Sequence, residues 1–421
     1  MSTLPCPPRL PHACVLGIVS LLCLACAACG SLRVRPPIPG QDTNPLTLSQ
    51  TRVMATRNDA GIAGVRGWGD VLSPDLQHSL AESTQQYRDR LQKEGQPMPQ
   101  AFDIMALSGG GPDGAFGAGV LCGWTDTGTR PEFRIVTGVS TGALSAPFVF
   151  LGSKYDAELR ELYTTLKTKD ILFLKGIYRI IFGDSVTDNT PLLRILQQRV
   201  NAEMLDAIAK EHARGRRLFI ATTNLDAQRN VVWDMGAIAV SGHPKALELF
   251  HKVLLASSAI PVAFPPQYIP VQRGEDLYDE MHVDGGVISQ FIVYDGYLNP
   301  KRMAEELGQM HAYEKVFKRV HILINNKIGP VGEPVKPRLA PIASRAISTL
   351  IKSQAKGALA YAYLLAKRDD MHMRFLAIPE EFEAQAAEPF DPVAMKKTFE
   401  LGYEIGRNQT GWQELPPGYE H

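Results

Sequence analysis

The ten residues FRIVTGVSTG, numbered 133–142, join an apolar run to a short turn between glycines. The run at 133–137 predicts a buried strand, and the small apolar residues after the turn predict a helix. Gly138, Ser140 and Gly142 give the turn the pattern G-x-S-x-G. A sharp strand-to-helix turn projects its central side chain outward, and the helix that follows directs free N–H groups toward that side chain. The stretch therefore predicts a nucleophile at Ser140.

A second glycine-rich turn lies upstream, within ALSGGGPDGAFGAGV at residues 106–120, after an apolar run at 102–107 that predicts a strand. Gly109, Gly111 and Gly114 have the G-x-G-x-x-G spacing of a dinucleotide-binding loop. Such a loop needs an acidic residue near the end of the next strand to hold a ribose, and none is present. A phosphate-binding P-loop is excluded because no lysine follows the glycines in the required position.

The same loop fits a different chemistry. Consecutive glycines expose backbone N–H groups, so Gly109, Gly110 and Gly111 are candidates to stabilise the oxyanion of an acyl-transfer reaction. Pro112 has no N–H group to add. Glycines in plain helix–strand packing are the structural alternative.

Strands and helices alternate along the chain, which predicts an α/β fold with a mainly parallel central sheet flanked by helices. Further apolar runs predict strands at 218–223, 231–234, 281–283, 320–324 and 373–378. Helical periodicity predicts helices at 74–94, 157–166, 191–200, 202–214, 244–258 and 342–368. We predict an accessory helical region at 47–100, a catalytic domain at 101–326, and a C-terminal helical extension with a late strand at 327–421, packed on the catalytic domain.

The composition argues against several classes of protein. The 421 residues include 44 Lys plus Arg and 44 Asp plus Glu, so the formal net charge is zero and no nucleic-acid partner is expected. The spacing of His, Cys, Asp and Glu shows no metal-site motif, and we expect neither a metal nor another cofactor. Five of the six cysteines fall within the first thirty residues, which offers no disulfide framework.

The N-terminus is typical of an exported protein. Residues 1–28 contain an apolar segment of signal-peptide length, and residues 29–46 form a proline-containing tether. Small residues before Cys29 resemble the bacterial lipobox, in which Cys29 would be lipidated, with Cys26 as an alternative site. The resemblance implies a lipoprotein anchored in the cell envelope, on the outer membrane facing the periplasm. An uncleaved anchor or a plain secretory signal is the alternative.

Four blocks of the sequence together resemble the patatin-like phospholipases. They are SGGG at 108–111, GVSTG at 138–142, ASSAIPVAFPP at 256–266, and the triplet Asp284, Gly285 and Gly286. The resemblance covers roughly residues 101–326 and implies a three-layer α/β/α fold. It also implies hydrolysis of carboxylic esters of membrane lipids, of the phospholipase A or lysophospholipase type.

The resemblance further implies a catalytic dyad. Ser140 would be the nucleophile that forms an acyl-enzyme, and Asp284 would be the base that accepts its proton. The N–H groups of Gly110, Gly111 and Thr141 would hold the oxyanion. A carboxylate is a weak base toward a hydroxyl group, so we expect Asp284 to lie within hydrogen-bond reach of the serine and to be buried.

One residue departs from the family's pattern. The family's glycine loop commonly continues with Arg or Lys, whereas this chain has Pro112-Asp113-Gly114. A carboxylate directed at an oxyanion would be repulsive. Asp113 must therefore point away from the site or pair with an arginine.

Three alternatives remain open from the sequence. A Ser–His–Asp triad would use His282 or His321, although a lone histidine in either place is more often structural. A non-catalytic lipoprotein would keep the fold and bind lipid or a partner, and Asp113 is its support. A nucleotide-dependent oxidoreductase depends on the glycine spacing alone. The apolar segments at 171–174 and 177–182 would line an acyl groove, cover its entrance or belong to the core, and we expect core.

Overall fold

The computed structural model describes residues 57–58, 62–176, 183–273, 276–294, 296–306, 308–330, 332 and 334–419. The predicted signal peptide, the tether, both candidate lipidation sites (Cys26 and Cys29) and the apolar segment 177–182 lie outside the described residues.

The strands of the described residues are, in chain order, β1 (Arg57–Asn58), β2 (Arg66–Trp68), β3 (Ala101–Leu107), β4 (Phe133–Gly138), β5 (Phe173–Leu174), β6 (Thr187–Asp188), β7 (Arg217–Asn224), β8 (Arg229–Asp234), β9 (Gln267–Arg273), β10 (Asp276–Asp284), β11 (Phe317–Ile324) and β12 (His372–Ala377).

The helices of the same residues are α1 (Pro74–Glu94), α2 (Gly114–Asp126), α3 (Thr141–Leu151), α4 (Asp156–Thr164), α5 (Thr168–Ile171), α6 (Thr190–Arg199), α7 (Ala202–Ala213), α8 (Met235–Val240), α9 (Ala246–Ser257), α10 (Pro300–Glu306), α11 (Met310–Lys315), α12 (Leu339–Arg368) and α13 (Pro392–Asn408). Short 3-10 helices occur at Gly111–Asp113, Ser153–Tyr155 and Gly285–Val287.

One mixed sheet with a parallel centre organises the molecule. Its strands run in the order β1-β9-β10-β7-β4-β3-β11-β12, while β8 pairs with β7 and β2 pairs with β8. The neighbours from β7 through β4, β3 and β11 to β12 are parallel, and the remaining pairs are antiparallel. The predicted α/β class is confirmed.

Helices cover both faces of this sheet. Successive side chains of β3 point to opposite faces, so Met105 and Leu107 join one apolar cluster while Ile104 and Ala106 join the other. The first cluster includes side chains of α2, α3, α9 and α13, and the second includes side chains of α1 and α12. The arrangement is therefore the predicted three-layer α/β/α sandwich.

The chain on either side of the predicted catalytic domain is built into the same sheet. Strand β2 pairs with β8, and β12 pairs with β11. Helix α13 packs closely on α2, where a Cβ atom at Gly119 would lie 2.1 Å from the Phe399 carbonyl oxygen and one at Gly402 would lie 2.2 Å from that of Phe116. The predicted limits at residues 100 and 326 therefore do not correspond to boundaries in the sheet.

Several elements differ from the sequence-based expectation, and strand β9 and helix α13 are among those that were not predicted. The strand predicted at 281–283 is the end of β10, which is nine residues long and forms an antiparallel hairpin with β9. Only His282, Val283 and Asp284 of this strand pair with β7, and Asp276 and Leu277 at its start are exposed. Helix α13 was not predicted at all, whereas α1 has the predicted bounds, with Ser73 as its N-cap and Gly95 in the left-handed conformation as its C-cap.

The carboxyl ends of the parallel strands lie at one edge of the sheet. There β3 ends at Leu107, β4 ends at Gly138 and β11 ends at Ile324. Loops at this edge are where ligands bind in sheets of this kind. Both glycine-rich turns identified in the sequence leave the sheet there.

Candidate active site

Ser140 occupies a strained turn between β4 and α3. Its backbone angles are φ 55° and ψ −125°, a conformation that a residue with a side chain rarely adopts. A Cβ atom at Gly138 would lie 2.6 Å from the Gly142 carbonyl oxygen, and one at Gly142 would lie 2.3 Å from that of Leu107. Both positions therefore require glycine, and the turn holds the serine as the G-x-S-x-G pattern predicts.

Two serines at the end of α9 fix the backbone of this turn. The Ser140 N–H donates to Ser257 Oγ at 3.0 Å, and Ser257 Oγ donates to the Ala221 carbonyl oxygen on β7 at 2.7 Å. Ser258 Oγ lies 3.4 Å from the Ser140 carbonyl oxygen. These residues belong to the ASSAIP block, but no feature of that block indicated what they do.

Asp284 lies at the end of β10, beside the serine. Its N–H donates to the Ala259 carbonyl oxygen at 3.0 Å, and its Oδ1 accepts from the Gly286 N–H at 2.7 Å. A Cβ atom at Gly285 would lie 2.6 Å from the Ala221 carbonyl oxygen, so the aspartate turn requires glycine to approach β7 this closely.

The structure brings Ser140 and Asp284 together. Burial raises the pKa of Asp284 to about 7, while the adjacent Ser140 hydroxyl and the Gly286 N–H oppose that rise by stabilising the charged form. Asp284 Oδ2 is buried, and among the described residues no hydrogen bond of full geometry reaches it. A buried carboxylate with a pKa near neutrality is suited to accept a proton from the serine.

The glycine loop after β3 lies directly against the serine. A Cβ atom at Gly109 would be 3.1 Å from Ser140 Cβ, and one at Gly110 would be 2.2 Å from the Asn325 carbonyl oxygen. Gly110 and Gly111 have φ angles of 156° and 56°, which favour glycine. One further glycine of the motif, Gly114, keeps α2 close to the turn, because a Cβ atom there would lie 2.4 Å from Thr141 Oγ1.

Three predicted donors remain candidates for the oxyanion hole, and one does not. The Gly109 N–H donates to the Gln290 carbonyl oxygen at 2.9 Å. It is therefore not free to bind an oxyanion, although the sequence indicated it as one of the three candidate donors of this loop. Among the described residues, no acceptor is found for the N–H groups of Gly110, Gly111 or Thr141. Thr141 is the first residue of α3, where the helix dipole also favours negative charge.

Two asparagines after β11 hold the loop in place. Asn325 Nδ2 donates to the Ser108 carbonyl oxygen at 2.9 Å, and the Asn325 N–H donates to Ser108 Oγ at 2.8 Å. Asn326 Nδ2 donates to the Gly109 carbonyl oxygen at 3.2 Å. These side chains were missed in the sequence, although their position after a buried strand at the carboxyl edge of the sheet was a usable signal.

Asp113 points into a separate cleft. It lines that cleft with Lys327 and Lys352 and is absent from the lining of the cavity that contains Ser140. Burial raises the pKa of Asp113 to about 6, and the charge of Lys327 opposes the shift. The positively charged side chain near the Asp113 carboxylate is therefore a lysine, not the arginine considered from the sequence.

An apolar cavity opens beside the serine, and the space within it together with its solvent-filled opening amounts to about 770 Å³. Ser140, Gly111 and Thr141 lie at one part of its wall. The rest of the wall is mostly aliphatic or aromatic, formed by Leu144, Phe148, Leu162, Tyr163, Leu166, Ile171, Leu192, Ile195, Leu196, Ile260, Phe264, Phe390 and Met395, with Arg199 and Ser258. Such a cavity can hold an acyl chain with its carbonyl carbon at the serine.

The expectation that residues 171–174 belong to the core is wrong for half of the segment. Ile171 is buried and lines the cavity, but Phe173 is 49% exposed and Leu174 is 72% exposed in strand β5. Among the described residues, strand β5 pairs with β6 in a separate two-stranded sheet.

The two candidate histidines have other partners. His282 contacts Thr222 Oγ1 at 2.9 Å and Glu280 Oε2 at 3.0 Å, and His321 Nε2 lies 2.6 Å from Asp103 Oδ1. Burial lowers the pKa of His321 to about 4. Among the described residues, no hydrogen bond joins a histidine to Ser140 or Asp284.

Among the described residues, neither a reactive thiol nor a metal-binding cluster is found. Cys122 is buried with its pKa raised to about 12, mainly by burial, as expected of a core residue. No group of three or more His, Cys, Asp or Glu side chains that could hold a metal ion occurs in the described part of the chain. Within that same part, none of the helices has the length and apolarity needed to cross a bilayer.

Comparison with known proteins gives one family match. The family model described as Patatin-like phospholipase matches residues 105–295, which contain the glycine loop, the Ser140 turn and Asp284. No curated protein matches the chain. Among solved structures, VipD from Legionella pneumophila is similar in fold, with a TM-score of 0.37 and 11% identity over 75% of this chain and 68% of that chain.

Proposed function

Residues 105–295 form a patatin-like phospholipase domain, and on that premise we propose that the chain hydrolyses carboxylic esters of membrane lipids through a Ser140–Asp284 dyad. The family supports lipid acyl hydrolysis in general. The finer assignment, an activity of the phospholipase A or lysophospholipase type, is our own.

The observation that carries the proposal is the placement of one buried carboxyl group. Asp284 has a pKa raised to about 7 and lies against a serine that a strained turn holds at the mouth of an apolar cavity. Desolvation makes the carboxylate a stronger base, and the strained turn keeps the hydroxyl group exposed to a bound ester.

The reaction follows from these positions. Asp284 accepts the proton of Ser140 Oγ as that oxygen attacks the ester carbonyl carbon. The developing oxyanion lies near the N–H groups of Gly110, Gly111 and Thr141. The C–O bond to the alcohol then breaks, and the alcohol leaves with the proton from Asp284. Water then attacks the acyl-enzyme and gives a proton to Asp284, which returns the proton to Ser140 Oγ as the acyl C–O bond breaks, so the fatty acid and the free serine are released.

The cavity favours an acyl chain over a polar substituent. Its wall carries few polar groups apart from those at the serine. A bound acyl chain would therefore bury its apolar surface against the protein instead of exposing it to water. The substrate class that fits is a lipid ester with one acyl chain in the cavity and its head group outside.

The test is ester turnover by two variants that keep the shape of the site. Ser140→Ala and Asp284→Asn should each reduce hydrolysis of a p-nitrophenyl ester and of phospholipid vesicles by about 10³-fold or more. Asp113→Asn is the matched control, because this carboxylate lies outside the cavity, and it should retain turnover. Turnover that survives in folded Ser140→Ala or Asp284→Asn protein would contradict the proposed dyad.

The position of Asp113 removes the one argument that favoured the non-catalytic alternative. Its argument was that Asp113 would repel an oxyanion, and Asp113 lines a different cleft. Absence of turnover with all lipid and p-nitrophenyl esters would restore that alternative.

We also propose that the protein is a lipoprotein, anchored at Cys29 on the outer membrane and facing the periplasm. The proposal depends on the sequence resemblance to a lipobox alone. Mass spectrometry of the mature N-terminus should find a lipidated cysteine at residue 29, whereas an unmodified peptide that begins elsewhere would contradict it.

A further inference from the structure

Helix α12 is packed on the molecule along only part of its length. From its start at Leu339 to Gln354, none of the side chains whose exposure is described is buried. Burial begins at Ala355 and continues through Leu359 to Ala366. The first half of a thirty-residue helix therefore lies on the surface of the protein.

That helix has a second apolar stripe. At 3.6 residues per turn, Leu339, Leu350 and Leu364 project on the side opposite the buried residues of the same helix. Leu339 is 88% exposed and Leu350 is 69% exposed. The exposed apolar side chains of the helix are Leu339, Ile342, Ile347, Leu350, Tyr361 and Leu364. One apolar face is enough to pack a surface helix on its own protein. We therefore expect the second apolar face of α12 to contact a partner.

The charge of this segment is one-sided. Residues 334–368 contain seven Lys or Arg and no Asp or Glu, in a chain whose total charges balance at 44 and 44. Arg338, Arg345 and Lys352 recur every seven residues, so they follow one side of the helix next to the apolar stripe. Lys336, Arg338 and Lys356 are exposed, and no ion pair is found for them among the described residues. An apolar stripe flanked by cations is typical of a helix that lies in the interface of an anionic membrane.

The helix is attached to the candidate active site. Gln290 Nε2 donates to Gln354 Oε1 at 2.8 Å, and Gln354 Nε2 donates to the Val287 carbonyl oxygen at 3.1 Å. Gln290 is also the residue whose carbonyl oxygen holds the Gly109 N–H. The surface half of α12 therefore ends, at Gln354, next to the turns that carry Asp284 and the glycine loop.

We propose that the outward face of α12, defined as this apolar stripe together with Lys336, Arg338 and Lys356, docks the protein on an anionic phospholipid bilayer. The apolar residues would enter the acyl boundary and the cations would contact lipid phosphates. A nucleic acid would match the cations but leave the leucines and isoleucines exposed, so it fits the face less well. The proposal rests on the proposed function only in one respect, that docking would bring lipid esters to Ser140. Vesicle binding itself can be measured without any ester turnover.

The experiment measures sedimentation of the full chain with vesicles of phosphatidylcholine alone or mixed with phosphatidylglycerol. Wild-type protein and Ser140→Ala should bind the anionic vesicles more strongly, and added salt should weaken that binding. Replacing Lys336, Arg338 and Lys356 by Gln should weaken binding by about fivefold for each cation. Replacing Leu339, Ile342 and Leu350 by Ser should reduce binding to both kinds of vesicle to the level that the N-terminal segment alone provides.

Matched controls separate this face from exposure in general. Leu277 and Val393 are 71% and 64% exposed elsewhere on the surface, and replacing both by Ser should leave binding unchanged. All variants keep the same N-terminal segment, so any contribution from it is common to them. Since every changed residue is exposed, the variants should keep the wild-type melting temperature and the wild-type turnover of a soluble short-chain ester.

The outcomes are distinct for the two proposals. Wild-type-like vesicle binding by the folded α12 variants, or no preference of wild type for anionic vesicles, would overturn the docking proposal even if esters are hydrolysed. Binding of DNA that competes with vesicles and survives the leucine replacements would overturn it in favour of a nucleic-acid surface. Anionic vesicle binding without any ester turnover would leave the docking surface standing and reject the hydrolase.

Discussion

The pH dependence of ester hydrolysis tests the role of Asp284 as a base. The charged carboxylate is the active form in the free enzyme, so kcat/KM should rise with pH through the pKa of Asp284, which burial raises to about 7. A carboxyl group with its ordinary pKa of about 4 would give a flat profile across the neutral range.

The size of the effect follows from a single titration. With a pKa of about 7, about a tenth of the enzyme is in the active form at about pH 6 and about nine-tenths at about pH 8. We therefore expect kcat/KM for a soluble p-nitrophenyl ester to increase about tenfold over this range, with a slope near one on the acid side. The ester should be soluble so that vesicle binding does not contribute its own pH dependence.

The control variant addresses the other carboxyl group that titrates in this range. Asp113 has its pKa raised to about 6, and Asp113→Asn should leave the profile in place if Asp284 is responsible. Burial lowers the pKa of both His282 and His321, so neither histidine should cause a change in kcat/KM near pH 7. A profile that is flat from about pH 5 to about pH 8, or one that Asp113→Asn flattens, would refute this reasoning.

Three further variants test the turn, the cavity and the histidine. Gly142→Ala would place a Cβ atom 2.3 Å from the Leu107 carbonyl oxygen and should lower the free energy of unfolding by about 3 kcal/mol, as measured by urea denaturation; unchanged stability would show that the turn can relax. Leu196→Trp fills part of the cavity wall and should slow long-chain esters much more than acetyl esters, so equal slowing of both would argue against an acyl cavity. His321→Ala removes a partner of Asp103 and should cost about 3 kcal/mol of stability while ester turnover persists, and loss of turnover in folded protein would favour a histidine triad.

The centre of the fold and the turn that carries Ser140 could be predicted because local sequence determines them. The run at 133–137 and the glycines on either side of Ser140 leave little conformational choice, and the structure has the strand, turn and helix in that order. The bounds of α1 were predicted because Ser73 and Gly95 are strong capping residues.

Other parts depend on contacts between distant residues and leave no local pattern. Ser257 contacts Ser140 across 117 positions, and Asn325 contacts Ser108 across 217. Neither side chain differs in type from an ordinary surface residue. The role of the C-terminal segment was missed for the same reason, because Phe390 and Met395 reach the cavity only after α13 has packed on α2.

The Ser140–Asp284 dyad is tested most directly by active-site labelling with a fluorophosphonate that carries an alkyl chain, followed by peptide mass spectrometry. We expect one adduct, on Ser140, at a rate that falls by about 10³-fold in Asp284→Asn and stays unchanged in Asp113→Asn. A folded wild-type protein that takes up no label, or takes it up on a residue other than Ser140, would rule out Ser140 as the activated nucleophile.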